Sequence, residues 1–77
     1  MAKRDDSKVR LLAVERMLRT DRYITVPEIA ERLEKRYDIR VNRKTIYADL
    51  HEIDRIIPLE IKQGRNGGAR IMDFNWE

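Results

Sequence analysis

The sequence of 77 residues contains no cysteine and a single histidine, His51. The lack of thiols excludes disulfides, thiolate zinc sites and thiol catalysis, and one histidine is too few for a histidine-rich metal site. No apolar run approaches the roughly 20 residues of a membrane-spanning helix, and no signal-peptide hydrophobic region is present. We therefore expect no metal, no cofactor and no membrane contact, and a location in the cytoplasm.

The length predicts one small domain, ordered over about residues 6–74. A domain of this size buries only about 60% of its unfolded surface, which leaves little room for a deep substrate pocket. The acid pairs at residues 5–6 and at Glu31 and Glu34 lie in polar contexts, without an environment that would separate their pKa values for catalysis. We therefore do not expect an enzyme.

The net charge of +3 and the sequence pI of about 9.5 are a weak indication of a polyanionic partner. The surplus of positive charge lies mainly in residues 1–20, and no segment is strongly basic. Any anion-binding face must therefore be assembled by folding.

Helical periodicity predicts a first helix over about residues 6–20, with N-cap candidates at residues 5–7. Leu12 lies off its apolar arc, so it belongs either to a wider buried face or to a contact with a partner. The arc itself consists of Val9, Leu11, Ala13, Val14, Met17 and Leu18.

A second helix is predicted to start at Thr25, where Thr25 and Glu28 form a capping box and Pro27 suits the first turn. Asp38 is its predicted left-handed stop. Residues 23–25 ahead of it are typical of an extended link or a short strand. The apolar face of this helix consists of Ile29, Ala30, Leu33 and Tyr37.

Asn42 is a strong N-cap candidate for a third helix over residues 43–56, which Pro58 must end. Its core stripe consists of Ile46, Leu50, Ile53 and Ile57. The opposite side carries no acid and presents Lys44, Ala48, His51 and Arg55, with Tyr47 at its edge and Asp49 and Glu52 on another flank. Such a face suits a helix that reads a DNA groove, but it is also the pattern of a solvated amphipathic helix.

Two strand-like runs follow, at residues 59–63 and 69–74. The link at residues 64–68 holds all three glycines of the chain, which predicts a β-hairpin with a flexible basic tip at Arg65 and Asn66. Phe74 and Trp76 are either apolar cover for the hairpin or a dimer contact.

Four stretches, at residues 10–13, 24–33, 42–50 (NRKTIYADL) and 64–71, occur in the order found in one family. The chain resembles the winged helix-turn-helix DNA-binding domains of bacterial transcriptional regulators, especially those that continue into a WYL-type ligand-sensing domain. The resemblance implies a mainly α fold with a small β-hairpin, that is, a three-helix winged helix-turn-helix of bacterial or phage origin. It also implies sequence-selective binding of double-stranded DNA, with helix 43–56 in the major groove and the wing at residues 59–74 on the backbone or minor groove.

By position, the resemblance assigns DNA contacts to Asn42, Arg43, Lys44 and Tyr47 on the helix and to Arg65 and Asn66 on the wing. Ala48 and His51 share that helix face, where His51 is either solvated or in contact with a phosphate. Tyr47 is either a phosphate donor or part of the packing at the edge. The resemblance gives Asp49 a structural role.

The chain departs from the family pattern at residues 34–40, which replace a short glycine-containing turn and predict a second helix longer by a turn or more. Ala48 and Ala69 replace a basic and an aromatic residue, and both changes weaken the expected DNA affinity. The chain ends soon after the wing, so it is either a small regulator by itself or the DNA-reading part of one. A homodimer is possible, and the alternative function is a protein-interaction module that uses Leu12, Phe74 and Trp76.

Overall fold

The structure, a computed structural model, describes residues 7–20, 22–64 and 66–72. Over these residues it forms three helices and a three-stranded antiparallel sheet, an architecture that is compatible with a winged helix. The elements in chain order are α1 Ser7–Leu18, β1 Ile24–Thr25, α2 Val26–Tyr37, α3 Arg43–Asp54, β2 Leu59–Lys62 and β3 Gly68–Ile71.

Strand β3 is the centre of the sheet and pairs with both β1 and β2. The predicted hairpin is confirmed as β2 and β3, with Leu59 opposite Ile71 and Lys62 opposite Gly68. The prediction of a hairpin alone was incomplete, because Ile24 pairs with Ala69 and Thr25 with Gly68 to add β1. A strand of two residues exists only through its partner, so its local sequence could not decide between a link and a strand.

Local signals set both ends of α2, as predicted. The amide of Glu28 donates to Thr25 Oγ1 at 3.3 Å, and the amide of Thr25 donates to Glu28 Oε1 at 3.3 Å, which completes the capping box. Pro27 lies in the first turn, and Asp38 ends the helix with φ 56° and ψ 37°. Because α2 continues to Tyr37, one turn beyond Leu33, the predicted extension of this helix is also confirmed.

The third helix begins as predicted and ends slightly early. The side chain of Asn42 accepts the amide hydrogen of Thr45 at 2.9 Å. The helix ends at Asp54 instead of residue 56, and the chain then turns through a bond from the Ile57 amide to the Ile53 carbonyl at 2.9 Å. Asp54 also accepts the Leu59 amide at 2.8 Å, which starts β2 directly after this turn.

The core lies between the three helices and one face of the sheet. The predicted stripe of α3 is confirmed, since Ile46, Leu50, Ile53 and Ile57 are all buried. The predicted arc of α1 was wrong at Val9, which is 47% exposed. Val9 lies in the first turn of α1, and the residues of this helix that reach the core are Ala13, Val14, Met17 and Leu18.

An ion pair joins α1 to α3 beneath the surface. Both oxygens of Asp49 accept from Arg10, from Nε at 2.5 Å and from Nη2 at 3.1 Å. The side chains are only 7% and 17% exposed. Asp49 therefore has the structural role that the resemblance implied, and its contact fixes how α1 crosses α3.

We expect Asp49→Ala to lower the free energy of unfolding by about 3 kcal/mol, because it leaves the half-buried Arg10 guanidinium without its carboxylate. The double variant Arg10→Met with Asp49→Leu should recover most of that loss, since an apolar pair removes both charges together. Urea unfolding measures both effects.

Glu52→Ala is the matched control, because it removes an exposed acid of the same helix that pairs with Arg55. This change should cost less than about 1 kcal/mol. Equal losses for Asp49→Ala and Glu52→Ala would show that the buried ion pair contributes no more to the free energy of unfolding than the exposed one.

Candidate nucleic-acid interface

The face of α3 opposite its core stripe is open to solvent. Lys44, Ala48 and His51 are all exposed, and so is Arg55, whose Nη1 lies 3.2 Å from Oε1 of Glu52. Asp49 is buried, whereas Glu52 is exposed and pairs with Arg55, so it compensates one cation of this face. The result is a basic surface along the outer side of α3.

The cations in the first turn of α3 have no acid beside them among the described residues. Arg43 and Lys44 are exposed and form no ion pair with any residue that the structure describes. Asn42 uses its side-chain oxygen for the cap, where it also accepts from Thr45 Oγ1 at 3.1 Å. Its amide NH₂ group remains as a donor.

Tyr47 connects this helix to the hairpin. Its half-buried phenol donates a hydrogen bond to the backbone carbonyl of Lys62 at 3.2 Å. Of the two roles that the sequence left open for Tyr47, this contact supports packing at the edge. The helix surface and the end of β2 are therefore joined directly.

Tyr23 makes a second contact with the hairpin, which the sequence analysis missed. Its phenol donates to the carbonyl of Asn66 at 3.0 Å, and the ammonium of Lys62 lies 5.6 Å from its ring centroid. Burial raises the pKa of the Tyr23 phenol, and Tyr47 and Glu60 raise it further. Only the aromatic character of residue 23 was visible in the sequence, because its partner is 43 positions away along the chain.

Two glycines make these contacts possible. A Cβ atom at Gly67 would lie 1.8 Å from the Tyr47 hydroxyl and 2.6 Å from the Lys62 carbonyl oxygen. Gly67 and Gly68 are buried, and what they provide is close approach. Gly64 has φ +109°, the backbone geometry that a turn with glycine allows.

One of the cations of the hairpin is paired with an acid, so its composition overstates the positive charge that remains for a ligand. Arg70 stands directly opposite Glu60 and donates to it at 2.9 Å. This hydrogen bond is the main reason why the pKa of Glu60 is lowered. Asn66 is exposed, as is Lys62 at the end of β2, and Arg65 lies outside the described residues.

The described residues hold no group of three or more metal-ligating side chains. None of their helices is long and apolar enough to cross a membrane. Comparison of the chain with protein-family models, with curated proteins and with solved structures finds no match. Inferences about function therefore depend on the residues of this surface themselves.

We expect Tyr47→Phe to lower the free energy of unfolding by about 1 kcal/mol, because the Lys62 carbonyl loses its partner while the ring stays in place. Amide exchange of the hairpin should accelerate together with the loss of stability. Urea unfolding and hydrogen exchange followed by NMR measure the two effects.

Tyr37→Phe is the control, since Tyr37 is also half-buried and forms no hydrogen bond with any described residue. Removing this hydroxyl should change the free energy of unfolding by less than about 0.5 kcal/mol. If both variants behave alike, the bond between Tyr47 and Lys62 does not hold the hairpin.

Proposed function

We propose that this protein is a winged helix that binds double-stranded DNA with sequence preference, as a transcriptional regulator or as the DNA-reading domain of one. The observation that carries the proposal is the outer face of α3, which is exposed and presents Arg43 and Lys44 without an ion-pair partner among the described residues. A second observation supports it, because Tyr47 ties the wing to this same helix. One rigid unit can then meet a duplex with both elements.

In this proposal α3 lies in the major groove with its N-terminal half toward the bases. Lys44 donates to base-edge acceptors or to phosphates, and Ala48 lets the helix backbone approach closely. Arg43 and the amide groups at the start of the helix suit a phosphate, as the positive end of a helix dipole does. His51 lies on the same face, about two turns after Lys44.

The wing, formed by β2, β3 and the loop between them, contributes contacts to the backbone or the minor groove. Lys62 and Asn66 are exposed there, and Arg65 belongs to the same loop by sequence. Arg70 contributes less, because Glu60 compensates its charge. The small number of uncompensated cations favours modest affinity with a clear dependence on salt.

We expect the protein to bind mixed-sequence duplex DNA at low salt and to lose affinity steeply as salt rises. Lys44→Ala should relax sequence preference, by about 1–3 kcal/mol at the base pair it contacts. Arg65→Ala should weaken binding to all sequences about equally. Fluorescence anisotropy with labelled duplexes, together with selection from random duplexes, measures these effects.

Lys35→Ala is the matched control, since Lys35 is an exposed cation of α2 whose Nζ lies 3.0 Å from Oε2 of Glu31. It removes the same formal charge away from α3 and the wing. The proposal fails if no duplex binds at low salt, or if Lys35→Ala and Lys44→Ala weaken binding equally.

A second candidate function, a protein-interaction module, is favoured by an apolar groove between α1 and the end of α3. Leu12 and Ile56 stand exposed at this groove, by 68% and 80%. It has a volume of about 320 Å³ and is lined by Leu11, Leu12, Glu15, Arg19, Glu52, Ile53, Ile56 and Ile57. A second copy of the chain is the occupant that we propose for this function.

The charges around the groove favour that occupant. On the α1 side Glu15 pairs with Arg19, and on the α3 side Glu52 pairs with Arg55. Each side thus carries one acid and one base, so a two-fold related copy can oppose unlike charges across the groove. Such a dimer would still leave Lys44 and Ala48 on a different face of α3.

If this second function holds, the protein dimerises at micromolar concentration, and Leu12→Glu or Ile56→Glu makes it monomeric, because each change puts a charge into the apolar contact. Met72→Glu is the control, since Met72 is 63% exposed but does not line the groove. Sedimentation equilibrium measures the state of association. A wild-type protein that stays monomeric at all concentrations tested would rule out the dimer.

A further inference from the structure

A cleft between α1 and α2 brings three arginines together. It has a volume of about 420 Å³ and is lined by Ala13, Arg16, Met17, Thr20, Arg32, Arg36 and Tyr37. No acid is among these residues, and none of them belongs to α3 or to the hairpin. The cleft is therefore separate from the surface proposed to bind DNA.

The arginines of this cleft differ from most others in the described part of the chain. Among the described arginines outside the cleft, all but Arg43 have an acid beside them, in the pairs made by Arg10, Arg19, Arg22, Arg40, Arg55 and Arg70. Arg16 and Arg36 form no ion pair with any described residue, and among the other described arginines only Arg43 of α3 shares this property. Two of three uncompensated guanidinium groups thus line one cleft.

The third arginine of the cleft is only weakly compensated. Arg32 lies 3.7 Å from Oε2 of Glu28, and Arg22 approaches the same oxygen at 3.7 Å. A single carboxylate is therefore shared by two cations at long distances. The guanidinium of Arg32 keeps donors for another acceptor.

The rest of the cleft suits the uncharged part of a small ligand. Ala13 and Met17 are buried and form an apolar floor. The phenol of Tyr37 has no hydrogen-bond partner among the described residues and offers a further donor. Guanidinium groups around an apolar surface are the usual recognition elements for a phosphate or carboxylate on a small organic molecule.

Helix dipoles explain only part of this arrangement. Arg16 lies in the last turn of α1 and Arg36 in the last turn of α2, where a cation interacts favourably with the helix end. That effect accounts for each arginine separately. It does not explain why both line the same cleft as Arg32.

We propose that the cleft between α1 and α2 binds a small anion that carries a phosphate or carboxylate group, held by Arg16, Arg32, Arg36 and the Tyr37 phenol. The apolar part of the ligand lies on Ala13 and Met17. The proposal uses no residue of α3 or the wing, so it does not require that the surface of α3 and the wing binds DNA.

The test is an NMR titration of the whole chain with phenyl phosphate, benzoate and inorganic phosphate, each at constant ionic strength. Saturable shifts should be confined to residues 13–20 and 32–37 and to the side-chain Nε–H signals of the three arginines. Stronger binding of phenyl phosphate identifies a phosphate ligand, and stronger binding of benzoate identifies a carboxylate ligand. Shifts spread over all cationic residues, or no saturation with any probe, would overturn the proposal.

Arg36→Gln and Arg16→Gln should each weaken binding of the preferred probe about tenfold, because each removes a charge-assisted hydrogen bond. Lys35→Gln is the control one position away, since it removes an exposed charge outside the cleft and should change binding less than twofold. Equal effects of Arg36→Gln and Lys35→Gln would contradict a specific site. Thermal unfolding of each variant verifies that it is folded.

One further measurement separates a small ligand from a nucleic-acid backbone, which carries the same phosphate chemistry. The double variant Arg16→Gln with Arg36→Gln should bind mixed duplex DNA as well as a control with Lys35→Gln and Arg40→Gln, which removes two charges outside the cleft. A selective loss of DNA affinity in the cleft variant would make the cleft a backbone contact and overturn the small-ligand proposal.

Discussion

Strand β3 passes so close to β1, which leads directly into α2, that no side chain fits at Gly68, where a Cβ atom would lie 2.1 Å from the Ile24 carbonyl oxygen. The same approach lets the first amide of α2, at Val26, donate to the Gly67 carbonyl at 2.8 Å. Helix N-terminal amides have no partner within their own helix, so this bond satisfies a donor and attaches the hairpin at the same time. Any surface that uses both the helices and the hairpin depends on this contact.

The phenols of Tyr23 and Tyr47 extend that attachment outward. One reaches the loop of the hairpin from the segment before β1, and the other reaches the end of β2 from α3. Together with the pairing of β1 and β3, they hold the hairpin from two sides. This explains how a chain with a small core can present a hairpin and a helix in a fixed relation, which the proposed winged helix needs in order to contact a duplex with both.

The described surface divides into regions according to which cations lack an acid within ion-pair distance. Most described arginines have an acid within ion-pair distance, so the total of +3 says little about where an anion would bind. Within residues 7–20, 22–64 and 66–72, the uncompensated guanidinium groups lie in two places, at Arg43 on the first turn of α3 and at Arg16 and Arg36 in the cleft between α1 and α2. The apolar surface at Leu12 and Ile56 is a third region, with charges of both signs at its edges.

The sequence was enough to predict the start of α2 at Thr25, its end at Asp38, the start of α3 at Asn42 and the buried stripe of α3, because caps and helical periodicity act over a few neighbouring residues. The same periodicity predicted the basic outer face of α3. Packing between distant elements, in contrast, pairs residues 24–25 with β3, brings Tyr23 and Tyr47 within hydrogen-bond distance of the hairpin, and leaves Val9 exposed. The same packing determines which arginines lie within ion-pair distance of an acid. Each of these depends on the distance between elements far apart along the chain, and that distance is set by packing and not by local pattern.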